Sequence, residues 1–273
     1  MDYKTILLHL DRSARCKERV ELAFALSRTF SAHLVGLYAP YAFGETGARI
    51  LKVARSEREE DAAAARSEFR SAMARNGDVN SEWRESGDDA LVVLRASSAY
   101  CDLVVAGQHD PDAAYEQSMG ADFVEGLVLG VGRPVLLVPY AGRFQAVGAN
   151  ALVAWNASAE SARALHDALP LLRRARAVRV LMFEAESRSS AERDLPGDDI
   201  GPYLARHGVK VAISREYAPD VDVGSQILSR AADLSADLIV MGAYGHSRVR
   251  ELILGGATRT ILESMTAPVL TAH

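Results

Sequence analysis

The chain has 273 residues, of which 49% are hydrophobic and 25% charged, and its formal net charge is −5. These values are ordinary for a globular protein and exclude a disordered chain, a collagen-like chain and a disulfide-rich miniprotein. The lack of a basic surplus argues against a dedicated nucleic-acid binder. No apolar run reaches the roughly 18 residues that a membrane span needs.

The two cysteines and the first residues of the chain bear on its location. Cys16 and Cys101 match neither a CxxC motif nor the Cys/His spacing of a zinc site. Residues 1–8 lack the basic stretch, apolar core and small-residue cleavage site of a signal peptide. We therefore expect a cytoplasmic protein without membrane association, in which both cysteines are small buried apolar residues.

The first half of the chain alternates apolar strands with helical stretches. A strand from Thr5 ends at Asp11 and is followed by Ser13. The pattern then predicts a helix over Cys16–Phe30, a strand over His33–Tyr38 and a long polar helix over Ser56–Asn76. A short third strand and another helix follow, and then a fourth and a fifth strand over Asp102–Gly107 and Arg133–Val138.

The second half repeats this plan. It predicts a strand from Ala151 that ends at Asn156, a helix over Ala159–Arg174, and strands over Arg179–Phe183, Asp237–Gly242 and Ala267–Leu270. The segment Ala191–His207 contains two prolines and two glycines, so its helix should start late and be short. A linker is expected over residues 141–150, which contain two glycines and show no strong period.

The strands are continuous apolar runs, as in parallel sheets that helices cover on both faces. Strand–helix alternation indicates right-handed βαβ units. The sequence therefore predicts an α/β protein of two tandem Rossmann-like, doubly wound domains, each with a five-stranded parallel sheet. Their expected ranges are residues 1–142 and 149–273.

The segment after the fourth strand of the second half is rich in glycine. Gly242, Gly245, Gly255 and Gly256 stand in the spacing G-x2-G-x9-G-G, in a loop that leads into a helix. Glycine lets a ligand approach the backbone N–H groups closely. A helix N-terminus adds unpaired N–H donors and a positive dipole end. Together these features predict an anion cradle suited to phosphates.

This spacing resembles the universal stress protein family, whose nucleotide-binding members carry G-x2-G-x9-G-[ST] after the fourth strand. The resemblance extends over both halves, through the Asp/Asn-x-Ser after the first strand and the final Pro-Val-Leu strand. It implies an adenine-nucleotide-binding fold, with ATP as the ligand. The site residues that it implies are Ala154, Trp155, Asn156, Met241, Gly242, Gly245, His246, Gly255, Gly256, Ala257 and Thr258, with Met241 beside the adenosine and Thr258 near the phosphates.

Two positions depart from the family pattern. Gly256 stands where the family has Ser or Thr, so the N–H remains but the hydroxyl is lost. Replacing Ser with Gly at a helix cap costs only about a few tenths of a kcal/mol, so binding can survive. Asn156 replaces the acidic residue after the first strand, which disfavours a direct Mg²⁺ ligand there, because Mg²⁺ prefers carboxylates and water.

The first half departs from the family pattern at other positions. It keeps Asp11, but Asp110 stands where the second glycine should be, and Asp112, Glu116 and Asp122 add further negative charge. Like charge would repel a triphosphate, so we expect the first domain not to bind ATP in the family manner.

Several neighbouring side chains have two interpretations. His246 could reach a phosphate or be solvated, and Arg248, Arg250 and Arg259 could attract phosphates or pair locally on the surface. Tyr244 could stack on a base or pack locally, and Trp155 also suits a core or interface position. Ser13 and Ser158 are expected to cap the first helix of each half. Scattered histidines without paired spacing predict no metal site.

Three functions follow from the pattern. The first is a universal stress protein that binds ATP in its second domain and acts in stress response or signalling, with at most slow hydrolysis. The alternative is a stress-related scaffold without nucleotide that acts through protein contacts. An enzyme such as an ATP pyrophosphatase is disfavoured, because neither an SGGxDS loop nor a Walker GxxxxGK[ST] motif is present. We therefore expect no catalytic residues.

The resemblance also implies that like domains pair through their last strands. The strand edges expected to pair are Arg133–Tyr140 and Ala267–His273, because unpaired edges invite pairing. Two such domains on one chain predict an intramolecular pair. A homodimer of the whole chain is a further option that the sequence leaves open.

Overall fold

A computed structural model describes residues 2–40, 54–111, 121–183, 199–216, 222–243 and 256–273. The chain divides into two compact units, Met1–Ala146 and Val147–His273. Each unit is an alternation of strands and helices. No helix of the described residues is long and apolar enough to cross a membrane.

The first unit contains one parallel sheet. Its strands are β1 (Thr5–Leu10), β2 (His33–Tyr38), β3 (Ser81–Glu85), β4 (Leu103–Gly107) and β5 (Val135–Val138), and its helices are α1 (Cys16–Phe30), α2 (Ala54–Arg75), α3 (Ala90–Ser98) and α4 (Ala121–Gly130). Within the unit the strands lie in the order β3-β2-β1-β4-β5, and the pairs β1–β2, β2–β3, β1–β4 and β4–β5 are parallel.

The second unit repeats this order. Its strands are β6 (Asn150–Trp155), β7 (Ala177–Phe183), β8 (Val211–Glu216), β9 (Leu238–Gly242) and β10 (Val269–Ala272), and its helices are α5 (Ala159–Leu172), α6 (Ile200–Arg206), α7 (Val223–Asp233) and α8 (Gly256–Ser264). The order within the unit is β8-β7-β6-β9-β10, again with parallel pairs. The predicted fold class is therefore confirmed.

The central strands form the core of each unit. Every residue of β4 and β5 is buried, as are five of the six residues of β1. This burial on both faces explains why these strands are continuous apolar runs. Helix α6 begins at Ile200, after the Pro196-Gly197 pair, and is only 7 residues long. The expectation of a short, late middle helix is thus confirmed, while residues 184–198 lie outside the described part of the chain.

The prediction about the two serine caps is half right. In the second unit, the Ser158 hydroxyl accepts a hydrogen bond from the Ser161 N–H at 3.1 Å and caps α5. In the first unit, Ser13 does not cap α1. Its hydroxyl donates instead to Oδ1 of Asp11 at 2.6 Å, and the helix begins later, after Arg15. The Asp11 carboxylate competes with the helix for the serine, so the prediction for Ser13 is wrong.

Candidate functional site

The position where strand order reverses locates the candidate site in each unit. Strand β1 lies between β2 and β4, and β6 lies between β7 and β9. In open parallel sheets, ligands bind at the carboxyl ends of the strands beside this switch point. The residues at issue are therefore those that follow β1 and β4 in the first unit and β6 and β9 in the second.

In the second unit, the turn after β6 is held by its own polar groups. Oδ1 of Asn156 accepts a hydrogen bond from the Ser158 N–H at 3.1 Å. Ala157 has a φ of 60°, in the left-handed region that few residues with a side chain adopt. The Asn156 amide thus supports the backbone that leads from β6 into the capped helix α5, and one of its acceptor positions is engaged within the turn.

Gly242 closes β9 against the first turn of α5. A Cβ atom on Gly242 would lie 2.6 Å from the carbonyl carbon of Glu160 and 2.5 Å from the Ser161 nitrogen. No side chain fits at those distances, so glycine is required for the strand end and the helix to approach. Before it, Met241 is buried, with an exposed fraction of 5%.

Trp155 provides an unused hydrogen-bond donor at the same place. Its Nε1 atom is buried and has no hydrogen-bond partner among the described residues. Leaving such a donor unsatisfied costs about 1–3 kcal/mol. A ligand with an acceptor group at the end of β6 would remove that cost.

Gly256, Ala257 and Thr258 form the beginning of α8, which packs against α7. Among the described residues, the nearest atom to a Cβ atom on Gly256 would be Oδ1 of Asp222 at 3.7 Å, an ordinary contact distance. Thr258 is buried, with an exposed fraction of 6%. The first N–H groups of this helix therefore start from an uncrowded backbone, as an anion cradle needs.

Asp222 is a neighbour of the site that the sequence motifs did not indicate. Its Oδ2 atom accepts hydrogen bonds from the Ser225 N–H at 2.9 Å and from the Ser225 hydroxyl at 3.2 Å, and so caps α7. Its other carboxylate oxygen faces the start of α8. An Asp directly before a helical run is a recognised cap signal. The sequence therefore indicates that Asp222 caps a helix, but it does not show that the negative charge of Asp222 lies near Gly256.

The structure brings only part of the predicted site together. Ala154, Trp155 and Asn156 end β6, next to β9 with Met241 and Gly242. For Gly256, Ala257 and Thr258, the described contacts run to α7. The predicted residues Gly245, His246 and Gly255 lie outside the described residues, as do Tyr244, Arg248 and Arg250.

The first unit has a buried ion pair at the corresponding place. Nη2 of Arg19 lies 2.7 Å from Oδ1 of Asp11, and their side chains are only 2% and 8% exposed. Nε of Arg19 donates to the His9 carbonyl oxygen at 3.1 Å. A Cβ atom on Gly107, the last residue of β4, would overlap Nη1 of Arg19. The guanidinium therefore lies between the carboxyl ends of β1 and β4.

The electrostatics of this pair follow from burial and proximity. Burial would raise the pKa of Asp11, but the Arg19 guanidinium, with His9 and Ser13, outweighs it and lowers that pKa below the ordinary value. Burial would likewise lower the pKa of Arg19, but Asp11 raises it. Both groups are therefore charged at neutral pH. Burial lowers the pKa of the neighbouring His9 to about 4, so its ring is neutral there.

Little space remains around the Arg19 guanidinium. The depression lined by Ser13, Arg19, Gly107 and Asp110 has a cavity volume of about 10 Å³, which is room for about one water molecule. Nη2 of Arg15 donates to the Gly142 carbonyl oxygen at 2.7 Å, and Nε of Arg15 donates to the Tyr140 carbonyl oxygen. These bonds tie the start of α1 to the chain after β5. Of the acidic residues expected to repel phosphate, Asp112 and Glu116 lie outside the described residues.

The sequence contains a signal for Arg19 that lies outside the glycine motif and the strand pattern. Helix α1 buries Cys16, Val20, Ala23 and Ser27, and Arg19 lies on the same face. An arginine on a buried helix face needs a partner, and the Asp at the end of the preceding strand is within reach. Both cysteines are buried, as expected. Burial raises the pKa of Cys16 to about 11 and that of Cys101 to about 12.

Comparisons with known proteins agree with this architecture. Residues 149–273 match the model of the universal stress protein family. The whole fold matches the crystal structure of a universal stress protein from Archaeoglobus fulgidus DSM 4304, with a TM-score of 0.72 and 16% identity over 98% of this chain and 95% of that one. A protein of unknown function from Pseudomonas aeruginosa PAO1 matches with a TM-score of 0.60 and 16% identity, over 99% and 92% of the two chains.

A curated relative matches over a short segment. Universal stress protein Slr1230 of Synechocystis sp. is 49% identical over 39 residues, which span 14% of this chain and 14% of that protein. The fold and its site thus define a tandem Rossmann-like α/β protein. The second unit matches the universal stress protein family model, and the solved structures share the fold of the full length.

Proposed function

We propose that this protein binds an adenine nucleotide, ATP, in its second unit and acts in stress response or signalling as a nucleotide-dependent binding protein. The observation that carries the proposal is the contrast at the two switch points. A buried Arg19–Asp11 pair takes up the cleft in the first unit, whereas the second has neutral Asn156 and a helix start at Gly256 that no described side chain crowds. The family motif on the same residues supports the proposal.

The described residues suit a nucleotide in three ways. The N–H groups at the start of α8 would receive phosphate oxygens, and the Thr258 hydroxyl lies in the same turn. The unpaired Nε1 of Trp155 would donate to an acceptor of the ligand. Buried Met241 would form an apolar wall for the adenosine. The Asp222 carboxylate opposes binding, because its charge repels phosphate, and we therefore expect moderate rather than tight affinity.

The proposal includes at most slow hydrolysis. Asn156 has no carboxylate to hold Mg²⁺, and no cluster of three or more metal-ligating side chains occurs in the described ranges. Bound nucleotide would stabilise the second unit by an amount that grows with the logarithm of its concentration above the Kd, as any ligand of the native state does.

Isothermal titration of ATP into the full-length protein, with and without Mg²⁺, tests this function. The Gly256→Glu variant places a carboxylate at the start of α8, and the Gly256→Gln variant places a neutral side chain of the same size there. Both fit the open space at this position. We expect one nucleotide per chain for wild type, little loss for Gly256→Gln and loss of binding for Gly256→Glu. Equal binding by all three proteins would contradict the assigned site.

The second candidate function is a scaffold that acts through protein contacts without nucleotide. The small cleft at the switch point of the first unit favours it, because the described residues there leave a volume of only about 10 Å³ for a ligand. Wild-type protein that neither retains ATP on purification nor binds it in the titration would support this function.

A further inference from the structure

The ion pair of the first unit lies where a ligand binds in other open parallel sheets. The Arg19 guanidinium lies against the end of β4 at Gly107 and donates to the end of β1 at His9. These are the two strand ends between which a ligand binds in an open parallel sheet. The cavity left beside the guanidinium, about 10 Å³, is far below the roughly 300 Å³ at which small-molecule pockets begin.

The same positions in the second unit carry no charge. Arg19 lies eight positions after Asp11. In the second unit, Asn156 takes the place of Asp11, and Ala164 lies eight positions after it. Ala164 is fully buried on α5. The end of β9, at Gly242, faces the backbone of Glu160 and Ser161 rather than a long side chain. At the end of the first strand and on the first helix, the two sites therefore differ by one arginine–alanine and one aspartate–asparagine replacement.

We propose that Arg19, held by Asp11, is the built-in occupant of the first unit's ligand cleft and is the residue that excludes nucleotide from that unit. This inference rests on the proposed function for its choice of ligand. It assigns to Asp11 the role of holding the guanidinium, so this aspartate is not available to a metal ion or a nucleotide. The first unit keeps one closed conformation whether or not nucleotide is present, and only the second unit responds to nucleotide.

The physical argument has two parts. A guanidinium with its partner carboxylate fills the volume at the switch point, where its charge is paired with Asp11 and its Nε–H donates to the His9 carbonyl oxygen. Moving Arg19 aside to admit a ligand would leave Asp11 as a buried charge without its partner, which is strongly unfavourable. A nucleotide would have to supply that free energy before gaining any affinity.

The test uses the full-length protein and the triple variant Asp11→Asn, Arg19→Ala, Asp110→Gly, which gives these three positions the residue types of the second unit. The control is the single variant Asp110→Gly, which removes the nearby carboxylate but keeps the ion pair. Circular dichroism and thermal unfolding establish that each variant is folded. Equilibrium dialysis with radiolabelled ATP then gives the number of nucleotides bound per chain.

We expect the triple variant to bind one nucleotide more than wild type and the control to bind the same number as wild type. A folded triple variant with unchanged stoichiometry would overturn the role of Arg19, as would a control that gains the extra site while keeping the pair. The outcomes separate the two proposals. Zero nucleotides in wild type and one in the triple variant would refute the proposed function of the second unit and uphold this inference. One nucleotide in both wild type and the triple variant would uphold the proposed function of the second unit and refute this inference.

Should the triple variant not fold, the pair Asp11→Asn with Arg19→Met replaces it in the Asp110→Gly background. Methionine keeps much of the apolar volume of the arginine stem but has no charge. Its flexible side chain can move aside for a ligand without leaving a buried carboxylate behind. A gain of one bound nucleotide over the control supports the inference, and no gain overturns it.

Discussion

The two units of this chain share a strand order but differ in what their switch points contain. In the first, a charged pair, Asp11 and Arg19, is buried between β1 and β4. In the second, the same spacing gives neutral Asn156 and Ala164. An acidic residue after the first strand is therefore not by itself a sign of a free ligand group, because Asp11 is already paired with Arg19. The unit that kept the aspartate is the one whose aspartate is already engaged.

The largest expected effect is on the stability of the first unit. Arg19→Ala leaves the Asp11 carboxylate buried without its partner, so we expect a loss of about 3–5 kcal/mol in the free energy of unfolding. Urea unfolding measures this in a Trp155→Phe background, where Trp83 on β3 is the remaining tryptophan and reports on the first unit.

The matched control for this prediction removes both charges, in the Asp11→Asn, Arg19→Met double variant. We expect it to lose less stability than Arg19→Ala, because no unpaired charge remains. An unchanged unfolding midpoint for Arg19→Ala would show that the buried pair does not stabilise the first unit.

Acid should weaken the first unit through His9. Its pKa is about 4 in the folded unit against an ordinary value of 6.5, because burial disfavours the charged ring. Between these pH values the unfolded chain binds a proton that the folded chain does not, so stability is complete above pH 6.5 and falls toward pH 4. The difference of about 2.5 pKa units corresponds to about 3 kcal/mol.

Unfolding curves recorded from pH 7 to pH 4.5 with Trp83 as the reporter check this slope. The His9→Phe variant removes the titrating group and should flatten the curve in that window. Asp11 acts in a lower window: its lowered pKa gives stability that is present above its ordinary pKa of 3.8 and is lost as the pH falls further. An equally steep slope in His9→Phe would assign the acid sensitivity to another group.

Most of the fold could be predicted from the sequence, but the ion pair only in part: Arg19 on the buried face of α1 signals a partner without identifying it. A continuous apolar run such as Leu103–Gly107 is typical of a strand that helices cover on both faces. Strands of this kind indicate a parallel, doubly wound fold. The Asp11–Arg19 pair depends on a tertiary contact between a strand end and a helix face. The prediction that Ser13 caps α1 fails for the same reason, because the Ser13 hydroxyl donates its hydrogen bond to Asp11 and not to the helix.

For the candidate site, the sequence likewise indicates the local features but not the tertiary contacts. The glycine spacing and the helix that starts at Gly256 are local features, and the sequence shows them. The approach of Asp222 to Gly256 is not local, because 34 positions separate the two residues in the printed sequence. The unpaired Nε1 of Trp155 depends on burial by surrounding elements, which no periodicity reveals.

Transferring the ion pair should close the second site. In the Asn156→Asp, Ala164→Arg variant the guanidinium would reach the end of β9 as Arg19 reaches that of β4. We expect at least a tenfold rise in the Kd for ATP, equivalent to about 1.4 kcal/mol. Ala162→Arg, which adds an arginine at an exposed position of α5, should leave the Kd within about twofold. Equal losses in both variants would show that the loss does not come from filling the space at the switch point.

Restoring the family's hydroxyl should strengthen binding. In Gly256→Ser the new hydroxyl could donate to a phosphate oxygen, and a net hydrogen bond contributes about 0.5–1.5 kcal/mol. We expect the Kd for ATP to fall by about two- to tenfold in isothermal titration. Gly256→Ala adds the Cβ atom without the hydroxyl and should show no gain. A gain of the same size in both would mean that reduced backbone freedom, rather than the hydroxyl, improves affinity.

The smallest effect is expected from Asp222. Asp222→Asn removes the negative charge that faces the start of α8 but keeps a side-chain oxygen for the Ser225 N–H, and Asn caps helices about as well as Asp. Stability should therefore change little. Interactions between exposed charges are worth about 0.2–1 kcal/mol, so the Kd for ATP should fall by up to about fivefold at low ionic strength. Because salt screens exposed charges, the difference between variant and wild type should shrink as salt is added. A difference that persists at high salt would show that Asp222 acts by shaping the start of α8 and not by its charge.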